Sequence, residues 1–165
     1  MFGKRLELKV PPLIYAFVYA VIMKGFCIWL PQYSIDLPFA RLFAPVLIGL
    51  GISIAVAGAH AIRAGSTTIN PMHPESTTAV VDTGVYGVTR NPIYVGMLLV
   101  LVGWAVHLQN IFAFVMVGLF VATVTQFQIR PEERILEERF GEEYINYRRR
   151  VPRWLFRLTE EDLQL

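Results

Sequence analysis

Four apolar runs dominate the chain: Pro11 to Leu30, Phe39 to Ile62, Pro92 to Leu108 and Ile111 to Ile129. Each is long enough to carry an α-helix through most or all of a bilayer's hydrocarbon, which takes about 17–25 residues. No Lys, Arg, Asp or Glu falls between Pro92 and Ile129. The last two runs are separated by Gln109 and Asn110 alone, a connection short enough to demand an antiparallel helical hairpin. Pro92 suits the first turn of a helix, where its missing N–H is not needed. Gly51, Ala55 and Ala59 recur every four residues in the second run, so they share a helix face and allow close packing, within the chain or between copies. Gly96 and Gly103 offer the same on the third run.

The polar stretches between these runs are uneven. Residues 31–38 make a short turn. Residues 63–91 form a long loop, RAGSTTINPMHPESTTAVVDTGVY and its continuation, with prolines at 71 and 74 and many Ser and Thr. It reads as loop with a short extended piece at Thr77 to Val81, and a loop of this length tends to carry function. The tail, 130–165, holds charges of both signs. Pro131, Glu132 and Glu133 suit a helix start, Gly141 a break, and Glu142 to Arg150 a second helix stopped by Pro152. Trp154 and Phe156, beside Arg153 and Arg157, read as interface anchors.

Charge orients these elements. Lys4, Arg5 and Lys9 precede the first run, Arg63 and Arg90 flank the long loop, and eight arginines follow Ile129. The 31–38 and 109–110 turns carry no basic residue. Positive residues stay on the cytoplasmic side, which puts both termini and the long loop there. The first run exceeds a signal-peptide core of about 7–15 residues and reads as an uncleaved span; Lys24 within it reads as a snorkelling side chain. The expectation is an all-α integral-membrane protein: one domain, residues 1–165, with four transmembrane helices at 11–30, 39–62, 92–108 and 111–129.

Composition adds exclusions. Of the 165 residues, 55% are hydrophobic and 17% charged, and the net charge is +2. That is more apolar and less charged than a soluble domain. The basic residues adjoin apolar runs, so lipid orientation explains them and nucleic-acid binding is not expected. Cys27 is the single cysteine and has no internal partner for a disulfide. The histidines, His60, His73 and His107, are scattered and there is no HExxH, so no metal site is expected. The common glycine-rich nucleotide motifs are absent.

Two polar clusters remain, and the hairpin returns both to one face: Tyr86, Arg90, Asn91 and Tyr94 before the third run, and Gln128, Arg130, Glu132, Glu133 and Arg134 after the fourth. Glu132 shares a helix face with Leu136 and Phe140, so its carboxylate is directed inward and needs a cation or donors. Arg90 or a cationic ligand would serve.

The pairing of GVYGVTRNPIYVG with PEERILEERFGEEYINYRRRVPRW resembles the isoprenylcysteine carboxyl methyltransferase family, over roughly residues 60–157. That family comprises integral-membrane enzymes that use S-adenosylmethionine, related to the phospholipid N-methyltransferases. The resemblance implies a cofactor site made by Thr78, Ala79, Val80, Val81, Tyr86, Arg90, Asn91, Pro92, Ile93, Tyr94 and Glu132, with the loop and the tail helices forming it on the cytoplasmic face. Asn91 stands where the eukaryotic prenylcysteine enzymes carry His, and Gln128 where they carry a substrate-binding Arg. Arg130, one turn away, is the replacement expected beside Gln128. Glu132, Glu133, Arg130 and Arg134 are the expected catalytic group: an arginine to orient a carboxylate acceptor, or Glu133 as base for an amine. The expected activity is methyl transfer from S-adenosylmethionine to a small lipophilic acceptor drawn from the bilayer. An isoprenylcysteine-like carboxylate leads, and a phospholipid amine or a thiol is the alternative. A non-catalytic membrane protein is the reading from another class. The oligomeric state is open.

Overall fold

The structure, a computed structural model, describes residues 8–64 and 79–155. These residues form helices and turns, with an isolated β-bridge between Ser34 and Asn110 in place of any sheet. Six α-helices follow one another: α1 (Pro12–Trp29), α2 (Ala40–Ala64), α3 (Pro92–Leu108), α4 (Ile111–Val124), α5 (Arg130–Phe140) and α6 (Glu142–Arg150). Three helical stretches are long and apolar enough to cross a membrane: α1, α2 and the continuous Ile111–Phe140. The third apolar run is the shorter α3, of 17 residues.

The fourth apolar run does not end at Ile129 as expected. The helix runs on through Phe140, 30 residues in all, by way of a π-helical turn at Thr125–Ile129. Pro131 is the cause. It has no N–H to give the carbonyl four residues before it. The π-turn takes up the break: the Arg130 N–H bonds to the Thr125 carbonyl, five residues back. Phe127, whose carbonyl Pro131 leaves without a helical donor, accepts the Leu8 N–H at 3.1 Å. Gly141, at φ 51°, then breaks the helix and lets α6 turn back.

α2 and α3 pack backbone to backbone. A Cβ built on Gly96 would lie 2.5 Å from the Gly51 carbonyl oxygen and 2.8 Å from the Ala55 nitrogen, and one on Gly51 would lie 2.6 Å from the Gly96 oxygen. Gly103 meets Ala44 and Ile48 in the same way. The small-residue face of α2 therefore packs within the chain. α1 lies across α3 and α4: the Trp104 indole donates to the Ala20 carbonyl at 3.1 Å, and the Tyr19 and Thr123 hydroxyls meet at 2.6 Å. Between the helices lies a core of Met23, Leu101, Ala105, Ala113, Phe120, Val124 and Ile129. Trp154 belongs to this core at 4% exposure, so it is not an interface anchor. The helical hairpin is closed by Gln109 in the left-handed region and by Asn110, whose side chain accepts from the Phe112 N–H and donates to the Leu30 carbonyl.

Replacing Gly96 by valine forces two backbones apart, which side-chain rotation cannot relieve. Gly96→Val is expected to cost at least the roughly 1–3 kcal/mol typical of overpacking, seen as a lower unfolding midpoint in detergent. Gly118→Ala, where the added Cβ meets nothing within 4 Å, is expected to leave the midpoint in place.

Candidate functional site

Residues 89–91 and 148–153 are sewn together. The Arg90 N–H donates to the Pro152 carbonyl at 2.9 Å. The Thr89 hydroxyl and the Asn91 side-chain amide both donate to the Arg153 carbonyl, each at 3.0 Å. The Arg90 guanidinium, almost fully buried, fills the space between. Its Nη1 donates to the carbonyls of Arg148 and Val151, and its Nε and Nη2 donate to Glu133 Oε1 at 3.1 and 2.8 Å. Arg153 grips the same carboxylate from the other side, with Nη2 donating to Oε2 at 2.7 Å. A buried carboxylate between two guanidinium groups is a stable arrangement only because both of its oxygens are occupied.

This assembly forms the floor of a cavity of about 850 Å³. Ala79, Val80, Val81 and Tyr86 line it from the loop, and Arg90, Asn91, Ile93 and Tyr94 from the start of α3. Glu132, Glu133 and Leu136 of α5 and Tyr144 and Tyr147 of α6 complete the polar end. Away from that end the walls are apolar: Ile52, Ala55, Val56 and Ala59 of α2, Met97 and Val100 of α3, and Leu13 and Ala16 of α1. Glu132 faces this space. Tyr94 donates its hydroxyl to Glu132 Oε1 at 2.5 Å. The Tyr147 hydroxyl donates to the Tyr86 carbonyl at 2.8 Å and ties α6 to the GVYG turn. Burial pushes the phenols of Tyr86, Tyr144 and Tyr147 up from their ordinary value, so these side chains stay protonated and serve as donors and aromatic walls.

The expected residues divide accordingly. Ala79, Val80, Val81, Tyr86, Arg90, Asn91, Ile93, Tyr94 and Glu132 lie together on the cavity. Pro92 starts α3 behind it and packs against Gly58. Thr78 lies outside the described residues. Glu133, expected as a base, is committed to Arg90 and Arg153 and is a structural carboxylate. Arg90 thus pairs with Glu133 and not with Glu132, because Glu132 is one residue round the helix and projects past the guanidinium into the cavity. Arg130 and Arg134, expected to orient an acceptor, line a different cleft on the outer side of α5. Gln128 does not line the cavity either: it is fully buried and donates to the Val10 carbonyl at 2.8 Å. It reaches the cavity only through the segment that continues into Pro11, Pro12 and Leu13.

The sequence reading missed Tyr144, Tyr147 and the walls from α1 and α2. The i, i+3 spacing of the two tyrosines showed a shared face but not what it faced. Nothing in the apolar pattern of α1 and α2 distinguishes a cavity wall from a lipid-facing side.

Comparison with known proteins bears on this site. A family model described as phospholipid methyltransferase matches residues 39–143. Over 123 residues the chain is 30% identical to the protein-S-isoprenylcysteine O-methyltransferase of Saccharomyces cerevisiae, covering 73% of this chain and 50% of that protein. It is 38% identical over 76 residues to the Mus musculus protein of the same name, 46% of this chain and 27% of that one. A Haemophilus influenzae protein of uncharacterized function is 43% identical over 63 residues, its whole length. The chain therefore spans half or less of the two named enzymes. No solved structure matches it.

The two adjacent glutamates are expected to behave oppositely when truncated. Glu133→Ala leaves Arg90 buried without its carboxylate, an uncompensated charge worth about 3–5 kcal/mol. It should collapse the unfolding midpoint in detergent. Glu132→Ala removes a carboxylate that faces a cavity and should leave the midpoint close to that of the unaltered protein.

Proposed function

This chain belongs to the phospholipid methyltransferase family, and on that premise we propose that it moves a methyl group from S-adenosylmethionine to a small lipophilic acceptor at the cytoplasmic boundary of a membrane. The observation that carries this reading is the single cavity that joins a buried acidic end, at Glu132, to walls of aliphatic side chains from α1, α2 and α3. Its volume falls within the range of small-molecule sites, roughly 300–1,000 Å³. One end suits a polar cationic molecule arriving from water, and the other an apolar one arriving from lipid.

The residues present fit the cofactor. Glu132 offers a carboxylate whose contact across the cavity edge is the Tyr94 hydroxyl, so it retains lone pairs for an amine or ribose hydroxyl. Tyr86, Tyr144 and Tyr147 offer aromatic walls for a base or a sulfonium. S-adenosylmethionine supplies an electrophilic methyl group on a sulfonium sulfur. The protein's part is alignment and exclusion of water: transfer is an in-line displacement, favoured when donor and acceptor are held within reach in a dry cavity. The clamp of Arg90 on Glu133 fixes the floor against which both would be held.

A carboxylate acceptor needs no base, and the activity for which the yeast and mouse relatives are named favours an isoprenylcysteine-like carboxylate. Arg90 lines the cavity with its guanidinium committed to Glu133 and to the carbonyls of Arg148 and Val151. A second reading rests on Glu132: an amine acceptor must lose a proton, and Glu132 is the carboxylate that faces the cavity, so a phospholipid amine is the alternative. A thiol acceptor has no residue of its own in favour. In the topology that accompanies this function the shorter α3 crosses as well, which makes four crossings with α1, α2 and the helix that begins at Ile111. Both termini and the clamp then lie on the cytoplasmic side, a placement that the distribution of Lys and Arg supports.

Binding of S-adenosylmethionine to the purified protein in detergent, followed by calorimetry, tests the proposal. Micromolar to submillimolar binding is expected, weakened about 10–100-fold in Glu132→Ala, the span of a charge-assisted hydrogen bond. No binding at millimolar cofactor would overturn it. Incubation with labelled cofactor and a lipid extract, with mass spectrometry of the product, then assigns the acceptor.

A further inference from the structure

The wall that α1 gives to the cavity is held from outside the cavity. Pro11, Pro12, Leu13 and Ala16 form that wall. The residues just before them are tied to the π-helical turn by two hydrogen bonds. The Leu8 N–H donates to the Phe127 carbonyl at 3.1 Å, and the Gln128 side-chain amide donates to the Val10 carbonyl at 2.8 Å. Val10 runs straight into Pro11 and Pro12, whose rings fix φ and stiffen the link to α1. A shift at Val10 is therefore carried on to Leu13. Among the described residues of α1 ahead of Met23, Pro12 alone is buried, and Leu13 and Phe17 are largely exposed. The next hydrogen bond described between an α1 side chain and another helix is that of Tyr19 with α4, at Thr123 and Leu119. Up to that point the two bonds at Leu8 and Val10 are a large part of what holds α1 down.

The fastening carries strain. Leu8 sits at φ 57°, in the left-handed region, where a leucine Cβ crowds the following carbonyl. Gln128 is fully buried, yet its Oε1 accepts no hydrogen bond among the described residues. Both features raise the energy of the fastened state, and release relieves both. The cavity is open on the side that the strained segment borders. α1 packs on α3 and α4, whereas α2 packs on α3. Leu13 of α1 and Ile52 and Val56 of α2 line the cavity and are still more than half exposed, so its open side lies between α1 and α2.

We propose that residues 8–13 are a releasable strap, latched by Gln128, whose release lets the first turns of α1 swing away from α2 and widens the open side of the cavity for an apolar acceptor. The strap stands without the methyl-transfer reading; its service to an acceptor rests on that reading. Gln128 is a positioning residue, since it acts on the cavity through Val10 and lines none of it.

Spin labels at Lys9→Cys and Ala64→Cys, both exposed positions, in a Cys27→Ser background, report the distance from the strap to the end of α2 by pulsed electron resonance in lipid nanodiscs. A fastened and a released distance are expected in the unaltered strap. Leu8→Gly removes the left-handed strain, offset in part by glycine's greater freedom on release, and should raise the ratio of fastened to released about threefold. Gln128→Glu turns the donor to Val10 into an acceptor and should lower that ratio at least about tenfold. One distance shared by the unaltered strap, Leu8→Gly and Gln128→Glu overturns the strap, and Leu8→Gly carries the comparison if Gln128→Glu does not fold. In the methyl-transfer assay with labelled cofactor and lipid extract, Gln128→Glu should raise the acceptor KM at least about fivefold and leave cofactor affinity in place. Equal loss of both overturns the role in acceptor entry. Absence of methyl transfer from every variant and from the unaltered protein counts against the methyl-transfer reading, and the distances still decide the strap.

Discussion

The placement of Glu133 between Arg90 and Arg153 is the constraint on which the rest of the arrangement depends. A guanidinium buried as deeply as Arg90 is tolerated only with its donors satisfied. The chain satisfies them from three elements at once: a carboxylate on α5, and backbone carbonyls at Arg148 and Val151, at the end of α6 and just past it. The loop before α3, the helix after α4 and the tail therefore cannot shift independently. The cavity floor inherits that rigidity. Under the proposed function the cavity gains from it, because misplacement by about 1 Å is costly when two small molecules must be aligned for a displacement.

The clamp also fixes which way Glu132 points, and here the π-turn matters. One extra residue in a helical turn rotates everything beyond it by about 100°. Pro131 makes that turn favourable by removing an N–H, and Leu8 and Gln128 hold it from the side by bonds to Phe127 and Val10. As the helix emerges, Glu133 meets the two arginines and Glu132 faces the cavity. Two adjacent, chemically identical side chains thus acquire unlike tasks from their angle around one axis. Arg130 and Arg134 are carried to the opposite side by the same rotation, which is why neither reaches the acceptor space expected of it.

The close approach of α2 to α3 serves the other end of the cavity. With glycine at 51 and 96 the two backbones touch, and beside that contact Ala55, Ala59, Met97 and Val100 line the apolar part of the cavity. Small residues therefore do two jobs on one helix face: at Gly51 they permit contact, and at Ala59 they leave space.

Much of this was legible in the residues. Apolar run lengths, the two-residue link at Gln109 and Asn110, and the breaks at Gly141 and Pro152 set α1, α2, α3, the start of α4 and the ends of α5 and α6 within one or two residues of where they lie, since each depends on local chemistry. The meeting of the Tyr86–Tyr94 stretch with Glu132 followed from the hairpin's shortness. The commitment of Glu133 to Arg90 and Arg153, the burial of Trp154, the diversion of Gln128 to Val10 and the walls given by α1 and α2 did not follow. Each is settled by which groups lie across a contact between residues far apart in the chain. Sequence determined the elements and the chemistry they carry; tertiary structure decided which carboxylate was consumed by the scaffold and which was left facing the cavity, because a buried arginine takes the partner that packing brings to it.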